Sequence, residues 1–233
     1  MRLLPRLVLV LSVLGLVWAP PGDAVEAEPV SASDNVRHVA NLAYEGRYGQ
    51  ELPFGTDIEL RSYGDRDYAF AGTYMNGLQV IDVTEPTKPV IAAVYDCSLA
   101  QGDVQLFTQG DRVLAAYTAD DYGPEYTKPE SRCYAENGVT EVKYGTFFID
   151  ITNPTAPTTA GWVELPKGSH NQSVHPSGQW MYNSNSDLAG LGEVEIVDIA
   201  NPAAPKVVGT LPLQTGVDSH DITFSADGTR AYS

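Results

Sequence analysis

The stretch GLQVIDVTEPTKP, residues 77–89, decides the fold because its pattern returns twice further along the chain. It returns as GTFFIDITNPTAP at residues 145–157 and as GEVEIVDIANPAAP at residues 192–205. In each copy a run of β-branched and aromatic residues ends at an aspartate, and a turn containing two prolines follows. This order is typical of a strand, a tight corner and a further strand, with Asp82, Asp150 and Asp198 as turn formers. A pattern repeated in this way predicts a repeat architecture.

Each repeat also has a recognisable beginning. The segments TDIEL, GDVQL, HNQSV and HDITF align on an Asp or Asn at positions 57, 103, 171 and 221, and a turn and a second strand follow each of them. Four short strands fit into the 48 residues between Asp150 and Asp198, which is the length of a propeller blade. The sequence therefore predicts an all-β fold, a β-propeller fragment of about three and a half four-stranded blades.

The motifs LQVIDV, FFIDI and VEIVDI, at residues 78–83, 147–151 and 194–199, resemble the LVIVD repeat. That family is secreted or surface-exposed and is taken to form β-propellers, and the resemblance covers residues 36–233. The resemblance implies the fold, but it implies no reaction and no set of catalytic residues. Residues 36–42 are similar to the last strand of a unit and predict an orphan strand that completes a final blade. Because the chain stops at Ser233 in the middle of a unit, we expect the sequence to be part of a longer protein.

The N-terminus has the features of a secretory signal peptide, predicted over residues 1–24. Arg2 and Arg6 precede an apolar run at residues 7–18, and Ala24 and Ala27 offer alternative cleavage positions. The run is shorter than the roughly 20 residues that a membrane-spanning helix needs, although an uncleaved anchor is the alternative. We expect a flexible leader over residues 25–35, a repeat domain over residues 36–233, and a secreted, extracellular or cell-surface protein without membrane insertion after cleavage.

The charge of the chain is strongly negative. It has 14 Lys and Arg residues against 30 Asp and Glu residues, a formal net charge of −16. Nucleic acids and anionic membrane surfaces need a basic footprint, so neither is an expected partner. The charge favours cation binding, or it is simply a solvated acidic surface.

Two histidines and a row of acidic residues are candidates for a metal site. In a propeller the first strand of each blade lines the central channel, so His170 and His220 are expected at its mouth, with Asp57, Asp103 and Asp221 beside them. Imidazole nitrogen with carboxylate support suits a divalent transition metal, and converging carboxylates suit a hard cation. The alternative is structural, because histidines also stabilise blades and short polar side chains satisfy backbone N–H groups at strand entrances.

An insertion at residues 119–143 separates the second and third strands of the second unit. Cys97 and Cys133 are the two cysteines, and in a secreted chain they predict a disulfide that ties the insertion to the neighbouring blade. A metal or redox pair is the alternative. Tyr122, Tyr126 and Tyr134 suit recognition of a protein or a glycan, unless the insertion is an ordinary loop.

These features favour a binding or interaction scaffold that acts through its insertion-bearing face. One alternative is a metal-dependent oxidoreductase with a histidine site at the channel mouth, and another is a structural cell-surface module. The GxSxG, HExxH, phosphate-loop and dinucleotide motifs are absent from the sequence. The sequence alone therefore identifies no catalytic residues.

Overall fold

A computed structural model describes residues 33, 35–44, 54–121, 124–185, 193–214 and 217–233. The predicted signal peptide lies outside the described residues, and so does almost all of the predicted leader. The chain divides into two units, residues 1–38 and 39–233. In the first, Ser33 and Val36 exchange two backbone hydrogen bonds. Across the described ranges, the helices are all too short or too polar to cross a membrane.

The second unit consists of antiparallel sheets whose strands follow one another in sequence order. Sheet 1 contains β1 (Gly55–Tyr63), β2 (Arg66–Thr73), β3 (Leu78–Asp82) and β4 (Val90–Tyr95). Sheet 2 contains β5 (Gln101–Gln109), β6 (Arg112–Ala119), β7 (Gly145–Asp150) and β8 (Thr158–Glu164). Sheet 3 contains β9 (Asn171–Val174), β10 (Trp180–Ser184), β11 (Glu193–Asp198) and β12 (Lys206–Pro212). A two-stranded sheet 4 follows, with β13 (Thr223–Phe224) and β14 (Ala231–Tyr232).

The four-stranded sheets pack face to face, and their first strands meet. Strand β1 contacts β5, and β5 contacts β9. Alternate side chains of sheet 2 enter two different cores, because successive residues of a strand point to opposite faces. Phe147 packs in the core shared with sheet 1, and its neighbour Phe148 packs in the core shared with sheet 3. Three four-stranded sheets and a shorter fourth one, arranged in this way, confirm the predicted propeller fold of about three and a half blades.

The aspartates of the repeated motif end the third strand of each sheet. Their Oδ1 atoms accept the backbone N–H two residues further on, at 3.0, 2.9 and 3.0 Å, in the pairs Asp82–Thr84, Asp150–Thr152 and Asp198–Ala200. Asp82 and Asp150 also pair with Arg66 and Arg112 on the second strand of their sheets. The motif aspartates are turn formers, as the sequence predicts.

The segment over residues 36–42, predicted to complete a final blade, belongs to none of the sheets of the described residues. Residues 37–44 have no strand structure. Leu42 and Tyr44 instead pack on Ala69, Ala71 and Ile81 at the outer face of sheet 1. Within the described residues Leu42 and Tyr44 are held by side-chain packing, and the pairing of this segment with a further blade stays a prediction.

Candidate functional site

The two histidines singled out in the sequence come together at the entrances of neighbouring inner strands. His170 directly precedes β9, and His220 stands three residues before β13. Their Nε2 atoms lie 3.1 Å apart, and their ring centroids are separated by 4.7 Å. His170 is buried, whereas His220 is exposed to solvent. The pair therefore joins a fixed imidazole to one that solvent can reach.

A third side chain, Asp120, contacts the ring nitrogen of His170 that does not face His220. Its Oδ2 lies 2.8 Å from Nδ1 of His170, and both side chains are less than one-tenth exposed. Asp120 follows β6 directly and is fixed in turn, because its backbone N–H donates to the carbonyl of Ala100 and its Oδ1 accepts the N–H of Asp121. A carboxylate on Nδ1 directs Nε2 of His170 towards His220.

In the sequence Asp120 lies at the start of the insertion, and no motif links it to the two histidines. The residues are 50 positions apart. The only sequence signal is that Asp120 starts the insertion on the face where His170 begins β9. The contact itself depends on the packing of that insertion against the loop before β9.

Gly168 makes the approach of Asp120 possible. Its φ is +90°, in the region that favours glycine, and an added Cβ would collide with Oδ1 of Asp120. Its carbonyl accepts a hydrogen bond from Nδ2 of Asn183 at 3.0 Å, so the loop is also fixed from the opposite side. The loop before β9 is thus shaped to admit the carboxylate.

The acidic row has a different role from the histidines. Asp57 accepts the backbone N–H of Val104 at 3.1 Å, and Asp103 accepts that of Gln172 at 3.1 Å. In both cases the donor belongs to the inner strand of the next sheet. Each carboxylate thus satisfies a backbone N–H of the neighbouring sheet. The sequence predicts only hydrogen bonds to backbone groups near the same strand entrance.

Asp221, the last member of the predicted acidic set, accepts the N–H of its neighbour Ile222 at 2.7 Å. Within the ranges that the structure describes, no group of three or more His, Cys, Asp or Glu side chains is arranged to hold a metal ion. Asp57, Asp103 and Asp221 therefore do not complete a metal site with His170 and His220 in this part of the chain.

Negative charges nevertheless crowd the inner strands. Burial, together with the charge of Asp57, raises the pKa of Asp103 to about 8. Burial and the same neighbour also raise the pKa of Glu59. The inner strands therefore combine half-buried carboxyl groups with the neighbouring histidine pair.

Cys97 and Cys133 form a disulfide, as the sequence predicts, with their Cα atoms 5.1 Å apart. Cys97 lies in the connection between β4 and β5, and Cys133 lies on the short helix α1 (Arg132–Glu136). Both are fully buried. The bond ties the insertion to the neighbouring sheet on the face predicted for it.

The insertion is a packed cap and not a loose tyrosine-rich loop. Tyr134 is fully buried, its ring packs 4.8 Å from that of Phe147, and its hydroxyl donates to the carbonyl of Lys143. It therefore belongs to the core, which corrects its assignment to a binding face. Tyr126, at the end of a short 3₁₀ helix (Pro124–Tyr126), is part-exposed and meets Tyr74 edge to face. Tyr122 lies outside the described residues.

Comparison with known proteins identifies the repeats. The LVIVD repeat model matches residues 64–97 and 172–211, which lie in sheets 1 and 3. No curated protein matches the chain. Two similar solved structures are the xyloglucan PUL GH43B protein of Bacteroides ovatus and a 6-phosphogluconolactonase, so described provisionally, of Bacteroides fragilis.

The first structure is 16% identical with a TM-score of 0.38, and the match covers 66% of this chain and 30% of that one. The second is 14% identical with a TM-score of 0.33, and the match covers 74% of this chain and 61% of that one. This chain thus spans less than two thirds of either structure. The match of the family model agrees with the motifs at residues 78–83 and 194–199, and the chain therefore contains LVIVD repeats.

Proposed function

We propose that the protein is a secreted binding scaffold whose contact surface is the face formed by the insertion and the channel mouth. The observation that carries the proposal is the anchoring of the insertion. It is bonded to the β4–β5 connection through Cys97 and Cys133, and it reaches the histidine pair through Asp120. The partner classes are a protein or a glycan.

The described part of the insertion is held by hydrogen bonds as well as by the disulfide. The backbone N–H of Lys128 donates to the carbonyl of Ser98 at 3.0 Å, and that of Cys133 donates to the carbonyl of Asp96 at 3.1 Å. A side chain of α1, Arg132, also donates to the carbonyl of Pro157, which directly precedes β8. A surface ordered before binding loses little conformational entropy on contact, which favours recognition.

The chemistry of this face suits a polar partner. Tyr126 and Tyr74 offer aromatic rings with hydroxyl groups, and the insertion also carries the exposed side chains of Glu125 and Glu130. Aromatic rings bind apolar patches, while carboxylates accept hydrogen bonds from hydroxyl or amine groups. A glycan and a basic peptide segment both present such groups.

Arrays of glycans and of peptides, probed with the labelled protein, test this role. We expect Tyr126→Ala and Tyr74→Ala to weaken a detected interaction at least tenfold. Asp111→Asn, in the exposed turn between β5 and β6 at the opposite end of the strands, is the control and should bind normally. Absence of any ligand, or equal loss in the control, would count against the scaffold and favour a structural cell-surface module.

A metal-dependent oxidoreductase is the second candidate, favoured by the 3.1 Å approach of the two histidine Nε2 atoms. Copper-loaded protein would be tested for oxygen consumption with panels of thiols and phenols. Turnover by the wild type and its loss in His220→Ala would support an enzyme. Bound metal without turnover would reject this candidate and leave the scaffold.

A further inference from the structure

We propose that His170 and His220 bind one transition-metal ion through their Nε2 atoms, and that Asp120 is the positioning residue behind them. This inference is independent of the scaffold role, whereas the oxidoreductase candidate rests on it. It differs from the site expected from the sequence, because the supporting carboxylate is Asp120 and not Asp57, Asp103 or Asp221.

The separation of the two nitrogens fits a shared ion. Imidazole nitrogens bind zinc at about 2.0–2.1 Å, so two of them on one ion lie about 2.8–3.4 Å apart for angles between perpendicular and tetrahedral. The observed separation of Nε2 atoms is 3.1 Å. The rings meet at 75°, so the two Nε2 atoms approach each other without ring stacking. An ion can enter with a small shift of the exposed His220.

The contact between Asp120 and His170 resembles the hydrogen bond that a metal-binding histidine commonly makes to a carboxylate. Such histidines donate their second ring N–H to a carboxylate, which fixes the tautomer and raises the basicity of the ligating nitrogen. Here Oδ2 of Asp120 lies 2.8 Å from Nδ1 of His170, and both groups are buried. The fixed loop around Gly168 keeps this carboxylate in place.

The donor set selects the class of ion. Imidazole nitrogen suits copper, nickel and zinc, whereas calcium and magnesium prefer oxygen ligands. Both cysteines are in the disulfide, so thiolate does not compete for the ion. Because His220 is exposed, water or a group of a bound partner can fill the remaining coordination positions of the proposed ion.

The competing explanation is a hydrogen bond between the two rings. His220 would then donate its Nε2–H to Nε2 of His170, at the same separation. In this explanation a proton lies between the two Nε2 atoms, whereas in the proposal a metal ion lies there. Only the response to added metal separates them.

Titration of the whole protein with Cu²⁺ and with Zn²⁺, followed by calorimetry, tests the proposal. We expect one equivalent to bind and the copper spectrum in electron paramagnetic resonance to show two imidazole nitrogens. His170→Ala and His220→Ala should each weaken binding tenfold or more. Because His220 is exposed, its variant is expected to fold even if the variant of buried His170 does not.

Asp120→Asn tests the positioning role. It should weaken binding by about 10–100-fold while one equivalent and the two-nitrogen spectrum are retained. The control is His175→Gln, since His175 sits just beyond the other end of β9 and contacts the carbonyl of Gly228. No binding by the wild type, unchanged affinity in His220→Ala, or equal loss in His175→Gln would overturn the proposal.

Discussion

At the scale of single residues, the region around the histidine pair depends on one backbone conformation and on a half-buried carboxyl group. Gly168 has a φ of +90° and lies against Asp120, so its lack of a side chain decides where the carboxylate can stand. Asp103 has a pKa raised by its buried position and the neighbouring Asp57. Both features have measurable consequences.

Gly168→Ala should destabilise the protein more than a glycine substitution that only strains the backbone. The added Cβ collides with Asp120, whereas at Gly110, with φ +57°, it would meet nothing within 4 Å. We expect about 1–2 kcal/mol of destabilisation for Gly110→Ala, from the left-handed conformation alone. Gly168→Ala should exceed that value in urea unfolding, and equal values would show that Asp120 is not held by this loop.

The pKa of Asp103 predicts a decline of stability with rising pH. Since its folded-state pKa is raised to about 8, the folded chain binds more protons than the unfolded chain between about pH 4 and pH 8. This group therefore lowers the free energy of unfolding as pH rises through that window, by at most about 1.4 kcal/mol per pH unit. Urea unfolding at several pH values should show a flatter profile for Asp103→Asn, and an unchanged profile would contradict the assignment.

At the scale of elements, the insertion and the corners of the sheets are each held by a few specific contacts. The disulfide closes a loop of 36 positions between the β4–β5 connection and α1. The corners after β3, β7 and β11 share one aspartate turn but differ in their ion pairs. Each kind of contact can be removed separately.

Replacing both Cys97 and Cys133 by Ala should reduce the free energy of unfolding by about 3–4 kcal/mol, through the larger entropy of the unfolded chain. Unfolding with and without a reducing agent measures this. The agent should destabilise the wild type and leave the double variant unchanged. A stable, reductant-insensitive wild type would show that the disulfide does not anchor the insertion.

The motif aspartates provide a matched pair for the corners. Asp150 caps Thr152 and pairs with Arg112 at 2.9 Å, whereas Asp198 caps Ala200. Each aspartate-to-alanine change should cost about 0.5–1.5 kcal/mol for the lost hydrogen bond. Asp150→Ala should cost up to about 1 kcal/mol more, and 1 M salt should reduce this difference.

At the scale of the whole molecule, stability depends on the stacking of sheets. Sheet 2 is covered on both faces, with one core towards sheet 1 and another towards sheet 3. A sheet with one solvent face would place only every second residue of β7 in a core. Phe147 and Phe148 are both fully buried instead.

Phe147→Ala and Phe148→Ala should therefore each destabilise the protein by about 3–5 kcal/mol, because each empties a different core. Ile58→Ala is the control, since Ile58 is 58% exposed on β1 and should have a small effect. Thermal or urea unfolding measures all three. A harmless change at either phenylalanine would mean that one of the two sheet interfaces is not formed.

Much of the fold was predictable because it depends on local patterns that recur. The motif aspartates, the proline corners and the alternating apolar strands are read within a few residues, and their repetition marks the sheets. The disulfide was predictable because the chain has two cysteines and the features of a secreted protein. Residues 36–42 form no ladder in the described part of the chain, because a strand is stable only beside a neighbouring strand.

The sequence by itself determined the repeated four-stranded unit, its aspartate turns and the histidines at equivalent strand entrances, since these depend on side-chain chemistry at a regular spacing. Only the tertiary structure decided that Asp120 supports His170, that Tyr134 is buried, and that Asp57 and Asp103 hold backbone donors of the next sheet. These contacts join residues that are far apart in sequence or depend on how the insertion packs. No local pattern records them, because they form only when the sheets stack and the insertion closes over their edge.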